Sequence, residues 1–162
     1  PQKGVAIALL ASLLRPGGAL GLAETLPRRT QRLYKLLPLE ALEPEIATAV
    51  REAEEAIYAD AADPMVNWDV ADLRAMMANA GLGELAVEVA EQTTEVHVTP
   101  ALLARWFDPA DAGGRPSYGQ RLAARLGQEQ AARVRELYER VLTGQTIQWT
   151  SATAYVSARR LE

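Results

Sequence analysis

The sequence predicts an α/β protein: a partial doubly wound sheet of about three strands, with helices on both faces and a helical insertion. Three stretches carry the prediction. Residues 4–14 are apolar nearly all round and run into Arg15-Pro16-Gly17-Gly18, a turn that releases the apolar run 19–25 containing Glu24. Residues 85–98 alternate apolar and polar side chains with the period of two of a strand. Residues 145–158 are dense in Thr, Ile, Val, Tyr and Trp, the composition of a last strand. A helix, a glycine turn and an apolar strand make one αβ unit. In doubly wound sheets ligands gather at the carboxyl ends of the strands, which here means Glu24 and the residues after it.

The elements follow in order. In the first helix Val5, Leu9 and Leu13 share one face and Ile7, Leu10 and Leu14 the next, a pattern expected of a helix buried against a sheet. Pro16 stops it, Gly17 and Gly18 allow a positive φ, and the run 19–25 reads as a strand covered on both faces. Residues 27–37 read as a short basic helix. A longer helix starts at Pro44, with Leu42, Ile46, Val50, Ala53 and Ile57 on its apolar stripe and Glu45, Arg51, Glu52, Glu54 and Glu55 opposite. Asn67 or Asp69 caps the next helix, whose buried face is Val70, Leu73, Met77 and Ala80 and whose stop is Gly81. The strand with charged alternates Glu84, Glu88 and Glu91 suits a sheet edge. Thr99-Pro100 and Ser117 cap two further helices, a third follows Gly127, and Gly144 ends it. The last strand has faces of similar polarity and is expected between two neighbours.

With 162 residues, 49% hydrophobic and 23% charged, the chain is expected to form one globular domain, 1–162. The absence of cysteine excludes disulfides and thiolate metal sites. A net charge of −4 gives no global attraction to nucleic acid or acidic membranes. The run 5–14 is too short to span a bilayer, which makes a cytoplasmic protein the expectation. The opening Pro-Gln-Lys-Gly lacks methionine and points to a longer parent protein.

Five side chains stand out as substrate-binding candidates: Glu24, Arg28, Arg29, Arg32 and Trp68. Arg28, Arg29 and Arg32, with Lys35, follow the first strand at its ligand end, where guanidinium forks suit a phosphate or an acidic substrate. Their alternative is a solvated helix face balanced by the acidic helix after Pro44. Glu24 orients a substrate group or accepts a proton, or else caps a backbone amide. Trp68 stacks on a ligand, or else staples the helix after it. Trp106, Phe107 and Trp149 read as core. His97 lacks a second histidine or a carboxylate cluster and reads as surface; metal binding is not expected, since the acidic residues 52–63 lack calcium-loop spacing.

The set R-P-G-G-A-L-x-L-x-E, then Asp72-Leu73 through Ala80-Gly81-Leu82, then Thr153-Ala154-Tyr155-Val156-Ser157-Ala158-Arg159 resembles the C-terminal half of a class I S-adenosylmethionine-dependent methyltransferase. The resemblance implies that these are that family's fifth, sixth and seventh strands with their helices, the seventh inserted antiparallel between the other two. It implies the sheet order fifth-seventh-sixth. The family's glycine-rich loop and its acidic residue after the second strand would precede Pro1, so no cofactor-binding or catalytic residue is carried over. Helical insertions, about 27–63 and 100–142, replace short connections and by analogy cap the active-site face. Similar halves also occur joined to recombination-type AAA+ ATPases.

The expected function is therefore the substrate-side half of a methyltransferase-like domain, inactive alone, with S-adenosylmethionine bound by the N-terminal half of the parent. The alternative is a non-enzymatic interaction or oligomerisation domain appended to a larger protein, such as an ATPase. A third reading is a nucleic-acid contact through residues 28–35, against which the net acidity counts. The strand 19–25 is expected at an open edge, to be covered by that N-terminal half or, in the isolated fragment, by a second copy in a homodimer.

Overall fold

Gly17, held at φ +72°, turns the first helix back into the first strand, and this reversal starts the fold. The structure is a computed structural model and describes residues 3–109 and 115–161. Its elements are α1 (Lys3–Ser12), β1 (Ala19–Thr25), 3-10 turns at Pro27–Arg29, Leu33–Leu36 and Leu39–Ala41, α2 (Pro44–Ala59), α3 (Val70–Asn79), β2 (Leu82–His97), α4 (Pro100–Phe107), α5 (Tyr118–Leu126), α6 (Gln128–Leu142) and β3 (Thr146–Arg160). The sheet order is β1-β3-β2. The last strand is central and antiparallel to its neighbours, as the resemblance implied, and β1 and β2 are the edges.

The chain divides into two compact units. The first comprises Pro1–Thr30, Tyr58–Thr93 and Thr150–Glu162; the second comprises Gln31–Ile57 and Thr94–Trp149. In the first unit β1 pairs with β3 in the register Ala19 opposite Arg159 through Thr25 opposite Thr153. The core lies on one face of this sheet. Ala152, Ala154, Val156 and Ala158 of β3 are buried there, under Ile7 and Ala11 of α1 and Leu73 and Met77 of α3. Small residues on the central strand let both helices lie close. The bulk comes from the helices and from Leu20, Leu22, Leu85, Val87 and Val89 on the flanking strands.

Three expectations for this unit need correction. β1 is not covered on both faces: its burial alternates, and Ala19, Gly21, Ala23 and Thr25 are exposed. α1 is not buried all round: Val5, Leu9 and Leu10, with Leu13 in the turn after it, are among the exposed large hydrophobics, because the buried side chains of the helix are Ile7 and Ala11. β3 does not have matched faces over 152–159, where buried Ala and Val alternate with Thr153, Tyr155, Ser157 and Arg159. The helix ends follow local chemistry. Asp69 caps α3 and forms a reciprocal capping box with Asp72. The guanidinium of Arg160 donates to the carbonyls of Ala11 (3.3 Å), Ser12 (3.1 Å) and Leu14, at the end of α1 and in the turn after it.

The second unit is built around α2, α4, α5 and α6. Val50, Leu103, Leu122, Val134 and Tyr138 are among its fully buried side chains. Thr99 and Ser117 cap α4 and α5, and Gly127 at φ +82° separates α5 from α6. Residues 27–37 are not one helix. They form two 3-10 turns divided between the units, since Pro27 opens the first and the extended backbone of Thr30 and Arg32 interrupts them. Part of the expected loop 108–116 lies outside the described residues. No helix among the described residues is long and apolar enough to cross a membrane.

Close approach of α4 and α5 gives a direct test of this packing. A Cβ at Gly119 would fall inside the van der Waals envelope of the Phe107 carbonyl oxygen, whereas one at Gly21 would meet no heavy atom within 4 Å. Gly119→Ala is expected to lower stability in urea unfolding by about 1–3 kcal/mol, the usual range for overpacking. Gly21→Ala is expected to change it by under about 0.5 kcal/mol, as for a surface site.

Candidate functional site

The end of β1 gathers four of the five predicted binding residues in the first unit. Lys3 Nζ, at the start of α1, donates to Glu24 Oε2 at 2.8 Å and stands over the Trp68 ring, 4.3 Å from its centroid. Trp68 is only 3% exposed and belongs to the core below α3. One face of its ring is thus taken by a cation of the same unit, an arrangement that attracts through the ring quadrupole. Glu24, half-buried, is tied to the same ammonium.

Arg28 and Arg29 sit on the 3-10 turn that follows, and both reach the start of α3. Arg29 Nε lies 3.1 Å from the Asp69 carboxylate, and Arg28 Nη1 lies 3.6 Å from that of Asp72. These are the two acids of the capping box, so each carboxylate serves a backbone amide of α3 and an arginine together. Arg28 Nε also donates to the Tyr58 carbonyl at 3.4 Å. The chemistry available here is a set of closed ion pairs: a carboxylate held by an ammonium, and two guanidinium groups held by carboxylates. A ligand anion at Arg28 or Arg29 would meet the carboxylate of Asp72 or Asp69 beside it.

Arg32, the fifth predicted residue, belongs to the second unit. It is 9% exposed and grips Glu55 with both arms of its fork, Nε to Oε1 at 3.0 Å and Nη2 to Oε2 at 3.3 Å. Tyr34 adds its hydroxyl to Glu55 Oε1 at 3.0 Å. His97 is exposed, and Trp106 stacks on Trp149 with centroids 6.0 Å apart.

The most unusual group of the second unit is one that sequence reading placed on the solvent side of α2. Glu54 is 1% exposed. Its Oε1 accepts from the Leu33 amide at 2.6 Å and its Oε2 from the Tyr34 amide at 2.9 Å, and Tyr118 hydrogen-bonds to it as well. Tyr118 and Tyr138 in turn share a hydrogen bond at 3.2 Å, with their rings packed on Phe107. Burial pushes the Glu54 carboxyl above its ordinary range, outweighing the backbone amides, Tyr118 and Arg32, which pull it down. Burial, together with the nearby carboxylate, also raises Tyr118 and Tyr138, which therefore stay protonated. For Glu55 partial burial acts upward, but the hydrogen bonds from Arg32 and Tyr34 prevail and hold it below the usual range. A helical signal for Glu54 was present: it falls four residues after the buried Val50 and seven after the buried Ala47.

Each unit also carries a surface depression. One, of about 330 Å³, runs along α5 and α6 beside Phe107, Gly119, Ala123 and Ala131; its charged side chain, Arg135, is engaged by Asp108 at 2.6 Å and Glu139 at 2.8 Å. The other, of about 440 Å³, lies on the exposed sheet face of the first unit over Gly21, Ala23, Ala86, Tyr155 and Ser157. Among the described residues no cluster of His, Asp or Glu has the arrangement to hold a metal ion.

The Glu54 network sets a pH expectation. Its folded-state pKa is raised, so the ionised form costs stability: the contribution is most favourable at low pH and declines as pH rises from the unfolded value, about 4.3, through the raised folded value. The stability of the wild type minus that of Glu54→Gln is therefore expected to fall as pH rises across this window, measured by urea unfolding with tryptophan fluorescence. A flat difference would remove the assignment. Glu54→Ala leaves the Leu33 and Tyr34 amides without their acceptor. It is expected to cost about 2–3 kcal/mol, with faster exchange of those two amides.

No protein-family model matches the chain, and no curated protein sequence matches it significantly.

Proposed function

We propose that this chain is the substrate-side half of an S-adenosylmethionine-dependent methyltransferase-like domain, inactive on its own, whose parent binds the methyl donor in an N-terminal half. The observation that carries the reading is the sheet: an antiparallel last strand lies between two strands that are parallel to each other. Support also comes from α1 and α3, which lead into β1 and β2 and pack against each other over the same core. Helices α4–α6 lie between β2 and β3, where the resemblance has a short hairpin, and are consistent with an insertion there.

S-Adenosylmethionine supplies an electrophilic methyl group to an acceptor when bound. The side chains at the end of β1 do not fit a direct cofactor contact: Glu24 is held by Lys3, Trp68 is buried, and Arg28 and Arg29 face Asp72 and Asp69. No cofactor residue and no step of the transfer is therefore assigned to this chain. The same closed ion pairs favour a second reading, an interaction domain that keeps the fold without the chemistry.

Calorimetric titration separates the two. S-Adenosylmethionine and S-adenosylhomocysteine are expected not to bind the 162-residue chain and to bind the chain extended by the polypeptide encoded upstream of Pro1. Absence of binding to a folded extended chain would overturn the methyltransferase reading in favour of the interaction domain.

A further inference from the structure

The sheet face of the first unit that points away from α1 and α3 carries polar groups that the fold leaves uncommitted. The register of β1 on β3 sets Ala23 opposite Tyr155 and Gly21 opposite Ser157. On the other side of β3, Arg159 Nε meets Glu84 Oε2 at 3.2 Å, and the Thr93 and Thr150 hydroxyls meet at 3.3 Å. Both pairs fit one antiparallel register, which sets Glu88 opposite Tyr155 and Ala86 opposite Ser157. The face is therefore a grid. Ala23, Tyr155 and Glu88 form one row, Gly21, Ser157 and Ala86 the next, and the Arg159–Glu84 pair stands beyond them. The depression of about 440 Å³ lies over the first two rows. Tyr155 rises from this floor, 46% exposed. A Cβ at Gly21 would meet nothing within 4 Å, so the floor is low and open.

Charge and shape choose the occupant. Among the described residues no ion pair or side-chain hydrogen bond engages the Glu88 carboxylate or the hydroxyls of Tyr155 and Ser157. Arg159, the cation of this face, is held by Glu84 and by the Gly17 carbonyl at 3.1 Å. Glu88 is thus an uncompensated negative charge beside an exposed aromatic ring. The ring quadrupole attracts a cation, and the carboxylate next to it adds to that attraction. A guanidinium suits both groups. Its plane stacks on the ring, its fork reaches the carboxylate, and it keeps further N–H donors for the Ser157 hydroxyl. An ammonium is a strongly hydrated point charge and cannot stack. A stacked nucleobase is the other use of an exposed aromatic ring, but single strands are held along a positively charged groove, and this face carries Glu84 and Glu88. The depression is shallow, whereas free small molecules are bound in pockets that enclose most of their surface. It fits one side chain of a larger partner, whose backbone comes close over the small residues Gly21, Ala23 and Ala86.

We propose that this sheet face is a docking site for an arginine of a partner protein, with Tyr155 as the stacking ring and Glu88 as the counter-charge. The inference does not depend on methyl transfer and holds under either function proposed above. The probe is the peptide acetyl-Gly-Arg-Gly-amide, titrated into the isotope-labelled 162-residue chain and followed through the amide resonances by NMR. Saturable shifts are expected at Gly21, Ala86, Glu88, Tyr155 and Ser157. The peptide with citrulline in place of arginine, of the same shape and without the charge, is expected to produce none. Glu88→Gln is expected to weaken binding about fivefold, as the loss of an exposed charge pair does. Tyr155→Ala is expected to abolish it, while Tyr155→Phe keeps the ring and keeps the binding. Gly21→Leu, which fills the floor from an open position, is expected to block the peptide with the amide spectrum of the fold retained. Absence of saturable shifts overturns the proposal, as do equal shifts with the citrulline peptide or binding that survives Glu88→Gln and Tyr155→Ala unchanged. So does a single-stranded oligothymidylate that shifts the same amides at lower concentration than the arginine peptide, which would make nucleic acid the occupant.

Discussion

A strand in the middle of a sheet must pair its backbone groups on both sides, and β3 meets that requirement with neighbours far apart in sequence. Ala19 to Thr25 on one side and β2 on the other both run against it. Everything in the first unit follows from this pairing. It makes β1 and β2 parallel although they are not adjacent. It aligns one set of alternate residues, Ala152 to Ala158, as the floor on which α1 and α3 rest. The alanines at 152, 154 and 158 decide how close the helices come, because a larger side chain there would lift both. Arg160, in the same strand, then holds the end of α1 by its carbonyls, so one element sets both the sheet and the placement of the helix over it.

The charged groups divide by environment. Pairs such as Arg29 with Asp69 and Arg28 with Asp72 are substantially exposed, and contacts of that kind contribute about 0–1 kcal/mol each. Their effect is to orient the turn after β1 against the start of α3 rather than to stabilise the fold. Glu54 is different in kind. Burying a carboxylate costs several kcal/mol, and hydrogen bonds to a charged group return about 1.5–3 kcal/mol each. Two backbone amides and a tyrosine hydroxyl are therefore needed to bring the balance near zero. The group gives little net stability but fixes one conformation: only a backbone that presents the Leu33 and Tyr34 amides together satisfies it.

What was legible in the sequence was what local chemistry determines. Asp69, Thr99 and Ser117 cap the helices their positions suggested, and Gly81 and Gly144 adopt the positive φ of stops. The strand order came with the family resemblance, not from periodicity, which says nothing about which strands pair. Partners distant in sequence stayed hidden: Arg29 meets Asp69, and Lys3 meets Glu24, through the fold alone. Glu54 was misplaced because composition outweighed period; a carboxylate among Glu52 and Glu55 looks solvated even at a position in phase with Ala47 and Val50. The basic run 28–35 looked continuous in sequence, yet the boundary after Thr30 assigns Arg28 and Arg29 to one unit and Arg32 to the other.

The apolar character of α1 is explained by where such helices normally lie. In a layered α/β fold a helix has the sheet beneath it and helices to either side, and a helix covered on three sides can be apolar nearly all round. α1 has the sheet beneath it through Ile7 and Ala11, and α3 beside it. Its exposed residues Val5 and Leu9, with Leu13 in the turn after it, mark a flank left open among the described residues. Burying a valine or leucine side chain fully is worth about 1.5–3 kcal/mol, so this flank holds back a driving force comparable to a large fraction of a domain's net stability. The open backbone edge of β1 runs along the same helix. Apolar exposure on α1 and an unpaired backbone edge on β1 thus stand side by side in the first unit, the one in side chains and the other in main chain.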